Sequence, residues 1–177
     1  MRYVALLRGI NVGGNSIIKM ADLKECVETL GHEAVRTYIA SGNVLFESAE
    51  RGGAKLDAAL ERAIERRLQL PVRVVVRSRV EIEKIVARVP EHWIGNPKVR
   101  VTVAFLLRGN DARKIAAGLS PKDGIDEVVA APGALLWAIR RDALTRTGLR
   151  LIGTPVYKQI TARNLNTTLK LAELLRA

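Results

Sequence analysis

The chain is short of cysteine and of long apolar runs. Cys26 is the single cysteine among 177 residues, so no disulfide can form within the chain. No apolar stretch approaches the roughly 20 residues that cross a bilayer. The apolar run at the N-terminus is too short for a signal peptide and ends at Arg8. We therefore expect a cytoplasmic protein that does not associate with membranes.

Metal-ligand clusters and familiar catalytic motifs are also missing from the sequence. His32 and His92 lie far apart, and neither has a cysteine or acidic cluster at ligand spacing. There is no Ser-His-Asp or Cys-His pattern, no G-x-x-x-x-G-K-[ST] phosphate loop and no G-x-G-x-x-G dinucleotide fingerprint. We expect no metal and no cofactor, and the sequence does not name a reaction.

Acidic residues are scarce relative to basic ones. The chain has 29 Lys and Arg against 18 Asp and Glu, a formal charge of +11. From residue 140 to residue 177 there are 8 basic and 2 acidic side chains. A basic C-terminal region favours an anionic partner, although net charge serves solubility equally well.

A glycine-rich loop near the N-terminus organises the first half. The apolar run Tyr3–Leu7 precedes Arg8-Gly9-Ile10-Asn11-Val12-Gly13-Gly14-Asn15, and an amphipathic segment begins near Met20. This pattern predicts a buried strand, a loop and a helix. Apolar residues at i, i+3, i+4 and i+7 spacing predict the buried face of that helix, which comprises Leu23, Cys26, Val27 and Leu30. Cys26 is therefore interpreted as a packing residue rather than a nucleophile.

The next elements complete a ferredoxin-like βαββαβ order. Strands are predicted at 34–40 and 43–48 around the turn Ser41-Gly42-Asn43, followed by a helix at 54–69 and a strand at 72–77. Right-handed crossovers place the first and third strands side by side. The first two strands then run in the same direction. We expect the turn at 41–43 to lie beside the loop at 8–15.

The second half resembles the first in looser form. Its first strand, near 99–107, ends in Arg108-Gly109-Asn110, much as the opening strand ends in Arg-Gly-Ile-Asn. A short helix at 112–117, a hairpin at 127–139, a weakly helical segment at 142–150 and a strand at 155–160 are predicted to follow. A final helix is predicted with Thr161 as its N-cap. The fold prediction is α+β: two ferredoxin-like halves packed together, 1–90 with a linking helix and 91–177 with a terminal helix.

Three motifs resemble an uncharacterised bacterial family, domain of unknown function 1697. They are RYVALLRGINVGG at residues 2–14, RTYIASGNV at 36–44 and TARNLNTTLKL at 161–171. The resemblance spans essentially the whole chain and implies two related α/β subdomains without an established activity or cofactor. The family's closing motif has Trp where this chain has Leu165, and a Ser-Lys pair usual in the family is not apparent near Arg140.

These motifs fall on predicted loops and on the start of the last helix, where function usually resides. Arg163, Asn166 and Lys170 are expected on one face of that helix. The polar residues of these motifs are rich in hydrogen-bond donors, which suits binding of phosphate, carboxylate or a nucleic-acid backbone. The predicted ligand-binding residues are Arg8, Asn11, Gly13, Gly14, Lys19, Tyr38, Ser41, Asn43, Arg163, Asn164, Asn166 and Lys170.

Three functions remain open from the sequence. The first is binding of an anionic small ligand or nucleic acid at the 8–15 loop. The second is an enzyme on a small phosphorylated or carboxylated substrate, with Arg8, Lys19 or Arg163 supplying charge and Tyr38 or a lysine carrying a proton. The third is a scaffold in which Arg and Asn only tie loops together. Sequence-specific RNA binding is disfavoured because the strands lack the aromatic motif it needs. The sequence leaves the oligomeric state open.

Overall fold

The computed structural model describes residues 1–11, 17–151 and 153–177, which form two compact units. The first unit contains Met1–Val80 and Leu171–Ala177, and the second contains Glu81–Lys170. Each has a four-stranded sheet in which all recorded pairs are antiparallel. The predicted α+β fold with two ferredoxin-like halves is therefore confirmed.

The first unit follows the predicted βαββαβ order. Its elements are β1 (Arg2–Leu7), α1 (Met20–Glu28), β2 (Glu33–Tyr38), β3 (Asn43–Glu47), α2 (Ala54–Leu68) and β4 (Val74–Ser78). The strand order in the sheet is β2-β3-β1-β4. The prediction that the first and third strands are neighbours is confirmed, since β1 pairs with β3 from Arg2↔Glu47 to Leu6↔Asn43.

The helices of this unit bury the stripes that the sequence predicts. Leu23, Cys26 and Val27 of α1 are buried, and so are Leu60 and Ile64 of α2. They belong to one apolar cluster with alternate residues of the sheet. Burial raises the pKa of the Cys26 thiol, which keeps it protonated, as expected of a packing residue.

The second unit has the same strand order, β6-β7-β5-β8. The remaining elements of the chain are α3 (Arg79–Val86), β5 (Val99–Leu106), α4 (Ala112–Ala117), β6 (Asp126–Ala131), β7 (Ala134–Arg140), β8 (Ile160–Asn164) and α5 (Leu165–Arg176). Helix α3 begins in the first unit and α5 ends in it. The second unit therefore contains part of α3, the helix that follows β4. The first unit contains part of α5, the helix that follows β8.

Backbone hydrogen bonds repeat between the units at the end of the first strand. The Leu7 N–H donates to Gly42 O at 2.9 Å, and the Leu106 N–H donates to Gly133 O at 3.0 Å. The N–H of the next residue donates to the residue just before the last strand in both units. These bonds are Arg8 N–H to Arg73 O at 2.9 Å and Leu107 N–H to Gln159 O at 2.8 Å. The resemblance between the halves is therefore structural.

The sequence misassigned the end of the second unit. The N-cap prediction for Thr161 is wrong, because residues 160–164 pair with β5 as a strand. Asn164 is the residue that caps α5, with its Oδ1 accepting the Thr167 N–H at 2.7 Å. The strand predicted at 155–160 is a 3₁₀ turn, Pro155–Gln159, apart from Ile160.

The helix predicted at 142–150 is also absent, and only a 3₁₀ turn at Arg141–Ala143 forms. The carboxylate of Asp126 accepts hydrogen bonds from Thr147 Oγ1 at 2.6 Å and from the Gly148 N–H at 2.8 Å. A side chain at position 148 would stand 2.0 Å from Ser120 O. These contacts hold residues 147–148 against the start of β6, so the segment does not form the predicted helix.

The end of the chain belongs to the first compact unit. The last seven residues join the first unit, where Arg2 Nη1 donates to Arg176 O at 2.7 Å. Arg36 Nη2 donates to Leu174 O. Helix C-termini leave carbonyl groups without intrahelical donors, and cationic side chains satisfy them well. Two arginines therefore hold the end of α5 on the first sheet.

We expect Leu23→Ala to lower the free energy of unfolding by about 2–5 kcal/mol, because it removes a fully buried side chain and leaves a cavity. Lys24→Ala is the matched control, since it loses only an exposed 3.4 Å ion pair with Glu28 and should change the free energy by less than about 0.5 kcal/mol. Chemical denaturation measures both. Equal midpoints would show that the helix face is misassigned.

A buried histidine should make the fold sensitive to acid. His32 is 8% exposed and stacks on Phe46 with ring centroids 4.7 Å apart. Its Nε2 has no hydrogen-bond partner among the described residues. Burial lowers the pKa of His32, with Glu50 opposing the shift. The unfolded chain therefore takes up this proton first, and the free energy of unfolding should fall as the pH drops below about 6.5.

The measurement is the denaturation midpoint between pH 7.5 and 5.5, a range above the ordinary titration of carboxylates. His32→Phe keeps a stacked ring without a titrating group and should flatten the profile. His92→Gln leaves the buried imidazole in place and should keep the wild-type profile. Parallel profiles for wild type and His32→Phe would contradict the assignment.

Candidate functional site

The described part of the loop after β1 lies beside the β2–β3 turn, as the sequence predicts. Asn11 connects them: its Nδ2 donates to Ala40 O at 2.8 Å and to Ile18 O at 3.0 Å. Its Oδ1 accepts the Ile18 N–H at 2.8 Å. Gly13 and Gly14 lie outside the described residues. Both amide hydrogens of Asn11 are thus used to close the loop.

The turn itself is held by close packing and by a second asparagine. Gly42 has φ +74, and a side chain there would come within 2.7 Å of Ile10. Asn43 is fully buried, and its Nδ2 donates to Tyr38 O and to Ser41 Oγ, each at 3.0 Å. A buried amide held in this way stabilises the hairpin.

The other predicted residues of this loop region are at least partly accessible. Arg8, Tyr38 and Ser41 are half-buried, and Lys19 is exposed at the N-cap position of α1. The structure therefore separates the predicted group into amides that hold the backbone and side chains that face outward in part. The amides support a structural role for this region. The partly accessible side chains keep the hypothesis of a ligand at this loop open.

Arg163 does not lie in a helix, so the prediction that it shares a helix face with Asn166 and Lys170 is wrong. It is a buried residue of β8 whose Nη1 donates to Ala162 O at 2.8 Å and to Thr161 Oγ1 at 3.1 Å. Desolvation lowers the pKa of Arg163 to about 10. The guanidinium is still charged at neutral pH.

The first unit contains a counterpart of this arginine. Arg77 of β4 is also buried, and its Nη1 donates to Val76 O at 3.0 Å. Each arginine stands opposite a valine of the central strand, with pairs Val4↔Arg77 and Val103↔Arg163. A feature repeated in both sheets is best explained by the fold. Arg163 is thus a weaker candidate for ligand contact than the sequence indicates.

The second unit has a cleft of about 470 Å³ where β5 begins and β8 passes into α5. We call it the basic cleft. It includes two predicted residues, Asn164 and Asn166, which are both exposed, whereas the predicted Lys170 is half-buried further along the helix. The residues that line it are Trp93, Gly95, Asn96, Pro97, Val99, Arg100, Val101, Arg141, Leu144, Asn164, Leu165 and Asn166.

Two exposed arginines give this cleft its charge. Arg100 pairs across the strands with Ile139, and the Arg141 N–H donates to Lys98 O at 2.9 Å. Diagonal neighbours on paired strands lie roughly 7–8 Å apart, within reach of long side chains. The lining contains no carboxylate. Within the described ranges, neither guanidinium has a recorded ion pair.

The nearest acidic residue in sequence is already neutralised. Asp142 accepts two hydrogen bonds from Arg140, from Nε at 3.1 Å and from Nη2 at 2.5 Å. The Arg140 hydrogen bond holds the pKa of Asp142 below its usual range. The charge of the neighbouring Arg141 is therefore not compensated by this carboxylate.

Amide groups and apolar walls complete the basic cleft. Asn164 uses its Oδ1 to cap α5, which fixes the side chain and leaves its NH₂ group as a donor. Trp93 is 1% exposed, and its Nε1 donates to Glu127 Oε2 at 3.1 Å, so it forms a fixed wall. Leu144 is partly exposed at the rim. The cleft thus combines positive charge, donors and a small apolar surface.

The equivalent position of the first unit has different chemistry. A cleft of about 370 Å³ lies where β1 begins and β4 passes into α3. It contains Glu47, which pairs with Arg2 at 3.0 Å. Arg2 also donates to carbonyl groups of α5. Among the described residues, this position combines two arginines with a lining free of acid in the second unit but not in the first.

Sequence reasoning did not identify Arg100, Arg141 or Asn96 as site residues. Arg100 lies in the alternating run Val99-Arg100-Val101, which resembles an ordinary half-exposed strand. Arg141 is one of several surface arginines near the C-terminus. The weak signal for both was the excess of basic residues in this half.

Two other features are not found among the described residues. No group of three or more His, Cys, Asp or Glu among them is arranged to hold a metal ion. None of their helices has the length and apolar character needed to cross a membrane.

Comparisons with known proteins agree with the fold. The chain is 29% identical to the conserved bacterial protein SP0830 from Streptococcus pneumoniae, with a TM-score of 0.84 and 98% coverage of each chain. Curated protein sequences gave no match. The model of the family "Protein of unknown function (DUF1697)" matches residues 1–137. Since that match covers most of its length, the chain belongs to the DUF1697 family.

Proposed function

We propose that the protein binds a small anionic ligand, bearing phosphate or carboxylate, in the basic cleft. The observation that carries this proposal is the presence of two exposed arginines, Arg100 and Arg141, in one cleft whose lining has no acidic residue. Like charges held close together repel, and an anion between them relieves that repulsion. The volume is within the range usual for small-molecule sites.

The contacts available suit an oxyanion. A guanidinium presents several N–H donors in a planar fork that matches phosphate and carboxylate oxygens. The side-chain NH₂ groups of Asn164 and Asn166 add neutral donors to the same cleft. Pro97 and Leu144 offer apolar surface to the remainder of the ligand. These features support a small anion with a modest apolar body.

The 8–15 loop stays a second proposed location. The accessible parts of Arg8, Lys19, Tyr38 and Ser41 support it, whereas the engaged amide of Asn11 supports the scaffold alternative. The enzyme alternative requires a proton carrier near the ligand. The lining of the basic cleft has no carboxylate, histidine, lysine or tyrosine, so binding without acid–base chemistry is favoured there.

A thermal-shift screen and calorimetric titration with inorganic phosphate, phenyl phosphate and benzoate should detect binding to the wild type. Arg100→Ala and Arg141→Ala should each weaken binding by about 1.5–3 kcal/mol, the usual loss of a charge-assisted contact. Arg113→Ala removes an exposed arginine outside this cleft and should bind as the wild type does.

Arg8→Ala distinguishes the two locations. If the ligand occupies the basic cleft, Arg8→Ala should bind with unchanged affinity, and loss of binding in that variant alone would move the site to the loop. If no anion stabilises the wild type, and Arg8→Ala melts much earlier than Lys24→Ala, then the scaffold alternative stands.

Nucleic acid is the polymeric version of the same chemistry, and salt dependence separates it from a small ligand. Titrations with single-stranded and duplex DNA and RNA at two salt concentrations should show weak affinity if the natural ligand is small. For a polymer, affinity falls steeply with salt. Each lost phosphate contact makes the negative slope of log K against log salt shallower by about one unit. Tight binding with a flattened slope in Arg100→Ala would favour nucleic acid.

A further inference from the structure

The two sheets have four edge strands, β2, β4, β6 and β8, and an open edge invites pairing with another chain. The edge of β4 is covered by side chains of α2. The Val74 N–H donates to Glu61 Oε1 and the Val76 N–H donates to Asp57 Oδ1, each at 2.9 Å. These amides face away from β1, so the helix satisfies the groups that another strand would need.

The edges of β2 and β8 are interrupted in other ways. The pairing of β2 shifts register between Glu33 and Arg36, and Ala34 between them has φ +49. A bulged edge that carries charged residues resists pairing. In β8, Ala162 O accepts a hydrogen bond from Arg163 and Asn164 O accepts one from Thr168. Two of its outward carbonyl groups are therefore already used.

Within the described part of the chain, the edge of β6 has no such protection beyond Asp126. Its pairing with β7 is unbroken from Asp126↔Ile139 to Ala131↔Ala134. The Arg140 N–H donates to Ile125 O at 3.0 Å, which sets the alternation of an antiparallel ladder. Odd-numbered residues bond to β7, and the backbone groups of even-numbered residues point outward.

Two outward residues, Val128 and Ala130, therefore present both N–H and C=O at this edge. Neither has a recorded backbone partner on that side within the described part of the chain. Their side chains and that of Val129 are half-buried, and no charged residue occurs from Val128 to Ala131. The outward N–H of Asp126 is already bonded to Lys122 O at 2.9 Å.

We propose that β6 pairs with β6 of a second copy in antiparallel register, with Val129 on the two-fold axis. Val128 of each copy then stands opposite Ala130 of the other, which makes four N–H···O=C bonds from the groups that point outward. Moving the register in one direction would need the N–H of Asp126 as a donor to the second copy, and that N–H is already bonded. A shift in the other would require an N–H from Pro132, which has none.

The occupant is a second copy because the edge is complementary to itself. The chain carries a formal charge of +11, so two copies repel over most approaches. The segment 128–131 is uncharged, so the paired strands place no like charges of this segment opposite each other. A two-fold contact uses the same edge on both copies and closes at two subunits. Because the pairing is short, the dimer should depend on protein concentration.

Sedimentation equilibrium across a wide range of protein concentration tests the pairing. The wild-type mass should rise toward that of a dimer. Val129→Lys should stay monomeric, because the two lysines would face each other across the axis at a non-hydrogen-bonded pair. Thr37→Lys places the same charge on the edge strand β2 and should dimerise as the wild type does.

A cross-linking variant keeps the proposal testable if Val129→Lys folds poorly. Residues at a non-hydrogen-bonded pair have Cα atoms about 4.5 Å apart, a distance that a disulfide spans. Val129→Cys should form a covalent dimer under mild oxidation faster than Thr37→Cys. The native Cys26 is buried and is common to both variants. The proposal fails if the wild type keeps a monomer mass at every concentration and the two Cys variants cross-link equally slowly. Dimers that persist in Val129→Lys would also overturn it.

Discussion

The central strands β1 and β5 set the arrangement of each unit, because their backbone groups must be paired on both sides. Each strand is hydrogen-bonded to two antiparallel neighbours and is buried along most of its length. A buried backbone group without a partner costs about as much as a lost hydrogen bond. The ladders therefore continue past the strand ends into Gly42 and Gly133. This pairing brings the hairpin turn to the end of the first strand in both units.

Local sequence patterns predicted elements whose burial follows a simple period. The stripe on α1 and the βαββαβ order of the first unit are examples, since propensity, turn residues and packing agree there. The end of the second unit followed tertiary contacts instead. Thr161 has the residue type of an N-cap, yet pairing with β5 makes 160–164 a strand. Buried Thr161 and Arg163 alternate with exposed Ala162 and Asn164, but the buried residues are polar, so the sequence has no apolar alternation that would indicate a strand.

The candidate site was predicted in part for a similar reason. Asn164 and Asn166 were named because a motif contained them, and they line the basic cleft. Arg100 lies in β5 and Arg141 directly follows β7, far away in sequence, so the register of β5 and β7 is what brings them near each other. Asn11 and Asn43 show the opposite case. Their residue type suits a ligand, whereas their hydrogen bonds are largely made to the surrounding loop and turn.

The arginine contacts at the end of α5 have a consequence for how the chain is made. Residues 171–177 belong to the same compact unit as Met1–Val80, and Arg2 and Arg36 hold their carbonyl groups. Synthesis proceeds from the N-terminus, so a nascent chain has all four strands of its first sheet long before this helix exists. Until then the two arginines have no helix end to bind. Completion of the first unit is thus delayed until nearly all of the described chain has left the ribosome, and its early stages are exposed to chaperones and proteases.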